Sequence, residues 1–148
     1  MLKYLRYYIT PILAPTVIIG IFLGGHFMWL GLAVLFVVVI GGDTVLGEDA
    51  SKPEYSHPWL IELPLHLALP IIIALLLSFA WASGSAGEDF LGISKLLSGL
   101  FAYDFLAARD GNMWSDYVGA ILGVGFIVAG YGTNVGHELT HRIKDRIA

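Results

Sequence analysis

Two histidines in the last part of the chain have the spacing of a metal-binding pair. His137 and His141 lie four residues apart in a segment that begins at Asn134. Residues four apart on an α-helix share a face, one turn apart, so both imidazoles can reach one metal ion. Glu138 points about 100° away from His137, where it could orient a ligand or act as a catalytic base. The alternative is a helix end with two solvated histidines.

Two kinds of membrane metalloenzyme use such a pair. In an intramembrane zinc metalloprotease, the histidines bind zinc, the glutamate activates water, and a third protein ligand is needed. Seven residues follow His141, and none of them is a histidine. In a membrane non-haem di-iron oxygenase, the pair is the first of several histidine motifs around two irons, and this chain has five histidines in all. The residues leave both chemistries open, together with a non-catalytic metal-binding membrane subunit.

Other polar side chains are expected at the same end of the molecule. An acidic loop opens directly after the second apolar run; its carboxylates could bind metal or steer a basic partner, or the loop could be a solvated turn. A second i, i+4 pair of Glu and His begins the third apolar run, either as a functional pair or as a paired group at the interface. The loop candidates are Asp43, Glu48 and Asp49, and the candidates for contact with substrate or with metal ligands are Asn134, Glu62 and His66.

The composition places these residues in a membrane protein. Of the 148 residues, 57% are hydrophobic and 14% are charged, whereas an ordinary soluble domain has about 25% charged residues. A soluble domain of this length cannot bury so much apolar surface. The net charge of -4 gives no attraction to nucleic acid, and the absence of cysteine excludes disulfides and thiolate metal sites.

Four apolar runs predict an all-α, multi-span transmembrane bundle within a single membrane domain, 1–148. The expected spans are about 7–23, 27–42, 60–82 and 114–137. A break is predicted at Gly24-Gly25-His26, because residues 7 to 42 as one helix would be about 54 Å long, against a bilayer core of roughly 30 Å. One steeply tilted helix is the alternative. Apolar residues at helical spacing over 89–108 predict an interfacial helix or a short re-entrant segment.

Basic residues predict the orientation of the bundle. With four spans, six of the eight basic residues fall on one side, and the positive-inside rule places that side in the cytoplasm. The N-terminus and the histidine pair are therefore expected on the cytoplasmic face of a bacterial inner membrane. The six are Lys3, Arg6, Lys52, Arg142, Lys144 and Arg146, and the other two are Lys95 and Arg109.

The chain resembles the N-terminal part of the integral-membrane alkane hydroxylases (alkane 1-monooxygenases), within the fatty-acid-desaturase-like superfamily. The resemblance covers the chain loosely, and its specific parts are the Gly47-Glu48-Asp49 loop and the segment around the histidine pair. It rests on four stretches in order: Pro15 to Ile21, Asp43 to Glu54, Leu63 to His66, and Asn134 to Arg142.

This resemblance implies a centre of two iron ions on the cytoplasmic side. Such a centre uses O2 to hydroxylate the terminal carbon of an alkane or fatty-acyl substrate, with electrons from a rubredoxin or ferredoxin. His137 and His141 match the first histidine motif of the family and would bind iron. The family carries further histidine motifs downstream that this chain lacks, so we expect a fragment or truncated product that is inactive alone.

Overall fold

The computed structural model describes residues 2–46 and 55–141 of the chain. The described residues are mostly helical and contain no strand. Two short 3-10 turns, Gly25–Trp29 and Phe90–Gly92, and one π-turn, Val128–Gly132, interrupt the α-helices. The α-helices are α1 Leu2–Leu23, α2 Leu30–Leu46, α3 Trp59–Ala82, α4 Ile93–Leu100, α5 Phe105–Asp110, α6 Trp114–Ile127 and α7 Thr133–Thr140.

Four helical stretches within the described residues are long and apolar enough to cross a membrane. The fourth joins α6, the π-turn and α7 into one continuous helix. The predicted all-α, multi-span fold is therefore confirmed, and the chain is an integral membrane protein. The four stretches are Tyr4–Leu23, Gly25–Gly42, Trp59–Ala82 and Trp114–Thr140.

The first two spans form a hairpin and not one tilted helix. Gly24 and Gly25 follow α1 with φ angles of +71° and +52°, a region that glycine enters without steric cost. The Asn112 side-chain oxygen accepts a hydrogen bond of 2.6 Å from the Gly25 N–H. The turn between the two spans is therefore docked against the segment that precedes α6.

Small residues bring α1, α2 and α6 close together. A Cβ atom at Gly31 would lie 2.7 Å from the Cα of Val17, and one at Gly119 would lie 2.7 Å from the Trp29 indole. In lipid, helices associate mainly through such close packing, because lipid tails are as apolar as the side chains. The Trp29 indole N–H also donates to the Ser115 carbonyl at 3.2 Å.

Tyrosine hydroxyl groups attach α3 to its neighbours. Pro64 has no N–H to donate to the carbonyl of Leu60, one turn earlier. The Tyr8 hydroxyl of α1 donates to that Leu60 carbonyl at 2.8 Å, and the Tyr131 hydroxyl of the π-turn donates to the carbonyl of Pro64 itself. Near the other end of α3, the Tyr117 hydroxyl donates to the Ala82 carbonyl at 2.9 Å.

The segment expected to form an interfacial helix is divided into α4 and α5. Asp104 begins α5 by accepting a hydrogen bond of 3.0 Å from the Ala107 N–H. On α4, Ile93 and Leu97 pack against the core. Leu96 and Leu100, on the free edge of the same apolar stripe, are 65% and 69% exposed, as is typical of a helix at a membrane interface.

We predict that Gly119→Ala destabilises the bundle by about 1–3 kcal/mol, because the added methyl group would overlap the Trp29 indole. Gly125→Ala is the matched control, since a Cβ there meets nothing within 4 Å. That control should be neutral or stabilising by about 0.5–1 kcal/mol. Thermal unfolding in detergent micelles measures both effects, and equal stability of the two variants would contradict the close packing.

Candidate metal site

His137 and His141 lie side by side at the end of α7. Their ring centroids are 4.7 Å apart, with the ring planes at 82° to each other. Metal–nitrogen bonds of about 2.0–2.1 Å place the centroids of two imidazoles on one ion roughly 5 Å apart. Both side chains are exposed. The geometry therefore suits two imidazoles that bind the same metal ion.

The histidine pair faces away from the rest of the described bundle. Val135 is 7% exposed, and Leu139 packs against the core, so these two residues mark the inner side of α7. At about 100° per residue, His137 lies about 200° around the helix from Val135, and His141 lies at the same angle from Leu139.

Asn134 shares the outer side of α7 with the histidines, and Glu138 lies on the adjoining flank, about 60° from both His141 and the buried Val135. Residues three and four apart are neighbours on a helix surface, so Asn134, His137, Glu138 and His141 form one continuous polar strip, and all four are exposed. We call this strip the outer face of α7. A role of Glu138 in orienting an imidazole stays a prediction.

Of the other sequence candidates, Glu62 and His66 form no metal-binding group with this pair among the described residues. Glu62 and His66 lie exposed on α3, and α7 packs against α3 with its inner side. Asp43 lies within α2, and Glu48 and Asp49 fall outside the described residues. Among residues 2–46 and 55–141, no group of three or more His, Cys, Asp or Glu side chains could hold a metal ion.

Two imidazoles make a partial ligand set. Protein zinc sites use at least three protein ligands, and non-haem iron sites combine several imidazoles and carboxylates. His137 and His141 fit as two of these ligands, and the described residues do not complete the set.

Sequence reasoning missed a polar cluster at the opposite end of the bundle. Arg109, treated there only as a loop charge, is 2% exposed. Its guanidinium donates to the carbonyls of Glu88 at 2.6 Å and Ser85 at 2.8 Å. It also lies 5.2 Å from the centre of the Trp81 ring. The bonds that it donates to the Asp110 carboxylate lower the pKa of that carboxyl. Arg109 therefore joins the loop after α3 to α5.

Asp89 organises the start of α4 in the same region. Its carboxylate accepts hydrogen bonds from the Trp81 indole at 3.1 Å, the Ser94 N–H at 2.9 Å and the Lys95 N–H at 3.0 Å. Desolvation acts to raise the pKa of the Asp89 carboxyl, but the hydrogen bonds from Ser94, Lys95 and Trp81 together hold it well below its usual value. The sequence signal for this role is an Asp directly before an apolar run at helical spacing, which is typical of a helix N-terminus.

A buried carboxylate supports the turn between the first two spans. Asp116 is 1% exposed and accepts a hydrogen bond of 2.8 Å from the Met113 N–H at the start of α6. Its other oxygen lies 3.4 Å from Nδ1 of His26. His26, expected from the sequence to be simply solvated, therefore contacts a carboxylate while its side chain remains largely in solvent. These polar groups at the opposite end serve the fold.

One comparison with known proteins links the chain to a monooxygenase hydroxylase. The chain is 37% identical over 71 residues to the xylene/toluene monooxygenase hydroxylase component of Pseudomonas putida, and the matched stretch covers 48% of this chain. It covers 19% of that protein, so the chain spans about a fifth of the relative's length. No family model and no solved structure matches the chain.

We predict that Asp89→Asn lowers stability near neutral pH by about 1 kcal/mol, because one amide oxygen cannot replace all three bonds. A carboxyl with a depressed pKa in the folded state stabilises the protein above the unfolded pKa of about 3.9, and that stabilisation is lost as pH falls further. The variant should therefore lose less stability than the native chain below about pH 4.

The control for this substitution is Glu88→Gln, in which the side chain is exposed and the carbonyl that Arg109 binds is retained. Thermal unfolding midpoints in detergent, measured between about pH 3 and pH 7, compare the variants. Equal midpoints for Asp89→Asn and the native chain at pH 7 would contradict the structural role of Asp89.

Proposed function

We propose that the chain forms part of the hydroxylase of a membrane-bound non-haem di-iron monooxygenase, with His137 and His141 as iron ligands. The observation that carries the proposal is the pair of exposed imidazoles with centroids 4.7 Å apart at the end of a membrane span. The partial identity with a monooxygenase hydroxylase supports the same chemistry. Bound iron would supply the activation of O2 for insertion of one oxygen atom into a C–H bond.

The remaining iron ligands are proposed to approach from the outer face of α7. The inner side of α7 is occupied by α3, and the described residues hold no group of three or more donors. An element that carries imidazoles or carboxylates and lies against Asn134, His137 and His141 would complete the set. In that arrangement Glu138 orients a ligand or accepts a proton, and Asn134 contacts a ligand or the substrate.

The substrate is proposed to be an apolar hydrocarbon that reaches the site from the bilayer. The relative is named for xylene and toluene, and the family that the sequence resembles hydroxylates alkanes. Xylene, toluene and alkanes are all water-insoluble hydrocarbons that carry methyl groups. We propose an alkane or fatty-acyl chain that is hydroxylated at its terminal carbon, with a rubredoxin or ferredoxin as electron donor. Glu62 and His66, exposed on α3, are proposed to serve the substrate path and not the metal.

The first test removes one ligand at a time. In an anaerobic Fe²⁺ titration of the chain in lipid nanodiscs, followed by calorimetry, His137→Ala and His141→Ala should each weaken binding. Removal of a residue that hydrogen-bonds a metal ligand lowers metal affinity by about 10–100-fold, so removal of the ligand itself should lower it at least as much. His57→Ala, which changes another exposed histidine, is the control and should bind as the native chain does.

Three results would count against this proposal. Unchanged Fe²⁺ affinity in both His137→Ala and His141→Ala would remove the pair as ligands. A stoichiometric two-iron centre in this chain by itself would show that the other ligands do not come from outside the chain. Selective retention of zinc over iron, with the pair required, would favour the zinc metalloprotease instead.

The second test concerns orientation. We propose that the histidine pair lies on the cytoplasmic side of the bacterial inner membrane. The chain has no cysteine, so a single introduced thiol reports its own side. In intact spheroplasts, a membrane-impermeant maleimide should label Ser98→Cys, on α4. It should label Thr140→Cys, on α7, only after the spheroplasts are lysed. The reverse pattern would place the histidine pair outside.

A further inference from the structure

The fourth span changes its winding shortly before the histidine pair. It runs as one helix of 27 residues from Trp114 to Thr140, and the π-turn Val128–Gly132 lies between α6 and α7. A π-turn holds one residue more than an α-helical turn, so everything after it is rotated by about 100° relative to an uninterrupted α-helix. The π-turn therefore sets the direction in which α7 presents its side chains.

Buried residues on both sides of the π-turn show the effect of this rotation. Ile127 is 2% exposed, Tyr131 and Val135 are each 7% exposed, and Leu139 also packs against the core. These residues are four apart. In a regular α-helix each step of four advances by about 40°, so Leu139 would lie about 120° from Ile127. The π-turn removes most of this drift and keeps the stripe on the inner side.

The outer face of α7 follows from the same rotation. Because Val135 and Leu139 are held inside, His137 and His141 must lie on the opposite side of the helix. Without the π-turn, α7 would be turned by about 100°, and the imidazoles would point along the side of the bundle.

Tyr131 holds the π-turn against α3. Its ring is buried, and its hydroxyl donates to the carbonyl of Pro64. The next residue, Gly132, packs so closely that a Cβ there would lie 3.2 Å from the Ile72 side chain. The acceptor is itself held in place, because the Tyr8 hydroxyl binds the Leu60 carbonyl that Pro64 leaves without a donor.

We propose that Tyr131 is the positioning residue of the histidine pair. Its hydroxyl group holds the π-turn on α3 and thereby aims His137 and His141 at the outer face of α7. The importance of this orientation for iron binding rests on the proposed function. The orientation of the two imidazoles on α7 does not depend on that function. Loss of the hydroxyl releases the π-turn, and α7 then samples the ordinary α-helical winding.

The chain offers a matched control for this residue. Tyr117, on the same continuous helix, also donates its hydroxyl to a carbonyl of α3, that of Ala82 at 2.9 Å. It lies in regular α-helix, before the π-turn. Tyr117→Phe and Tyr131→Phe therefore remove the same kind of bond between the same two helices, and only Tyr131→Phe removes it at the π-turn.

The test measures the rotation of α7 relative to α3 in the full chain in nanodiscs. Spin labels on Leu69→Cys and Gly136→Cys report one distance, since the chain has no other thiol. Leu69 is 67% exposed, and a Cβ at Gly136 meets nothing within 4 Å. A 100° turn of a helix about 10–12 Å wide moves a side chain by up to about 8 Å. Tyr131→Phe should shift or broaden the distance on this scale, and Tyr117→Phe should leave it unchanged.

A second variant removes the extra residue itself. Deletion of Gly130, an exposed residue of the π-turn, gives an ordinary α-helix with the same downstream rotation. In that background, Tyr131→Phe should have no effect on the distance.

Three results would overturn the proposal: an unchanged distance in Tyr131→Phe, an equal change in Tyr117→Phe, or an equal effect of Tyr131→Phe after the deletion. Absence of Fe²⁺ binding by the native chain would count against the proposed function alone, because the spin-label distance involves no metal.

Discussion

Hydrogen bonds from tyrosine hydroxyls to carbonyls of α3 connect this bundle along its length. In lipid there is little hydrophobic force between helices, and an unpaired backbone carbonyl is costly. A hydroxyl that donates a hydrogen bond to a carbonyl therefore fixes both the contact between two helices and the register of that contact. Tyr8 does this for Leu60, the carbonyl that Pro64 leaves without a donor, while Tyr131 and Tyr117 reach α3 near its two ends. Together with the close glycine packing of α1, α2 and α6, these bonds fix the position of the fourth span relative to α3.

The direction in which the candidate metal site faces depends on how the fourth span is held against α3. The inner side of α7 is held by Val135 and Leu139, so the imidazoles of His137 and His141 are presented away from α3. Polar side chains at a membrane boundary are costly unless they meet water, metal or a polar partner. An outer face with two imidazoles, a carboxylate and an amide is thus the part of the described chain best suited to bind a metal together with a further ligand-bearing element.

The two ends of the bundle use their polar residues differently. At the end opposite the histidines, Arg109, Asp89 and Asp116 form hydrogen bonds with backbone groups. These bonds shape the connection between the third and fourth spans. At the histidine end, Asn134, His137, Glu138 and His141 of α7 are exposed. The proposed chemistry is assigned to the histidine end because the paired imidazoles of His137 and His141 lie there.

Much of this architecture follows from the sequence, because it depends on local properties. Uninterrupted apolar runs determine the four spans, Gly24 and Gly25 determine the hairpin, and a spacing of four determines that His137 and His141 are neighbours. Other features depend on contacts between residues far apart in the chain, and no local periodicity encodes them. The π-turn that rotates α7, the burial of Arg109, and the separation of Glu62 and His66 from the histidine pair are of this kind. Only tertiary packing against α3 decides which way the helix with this candidate metal-binding pair will face.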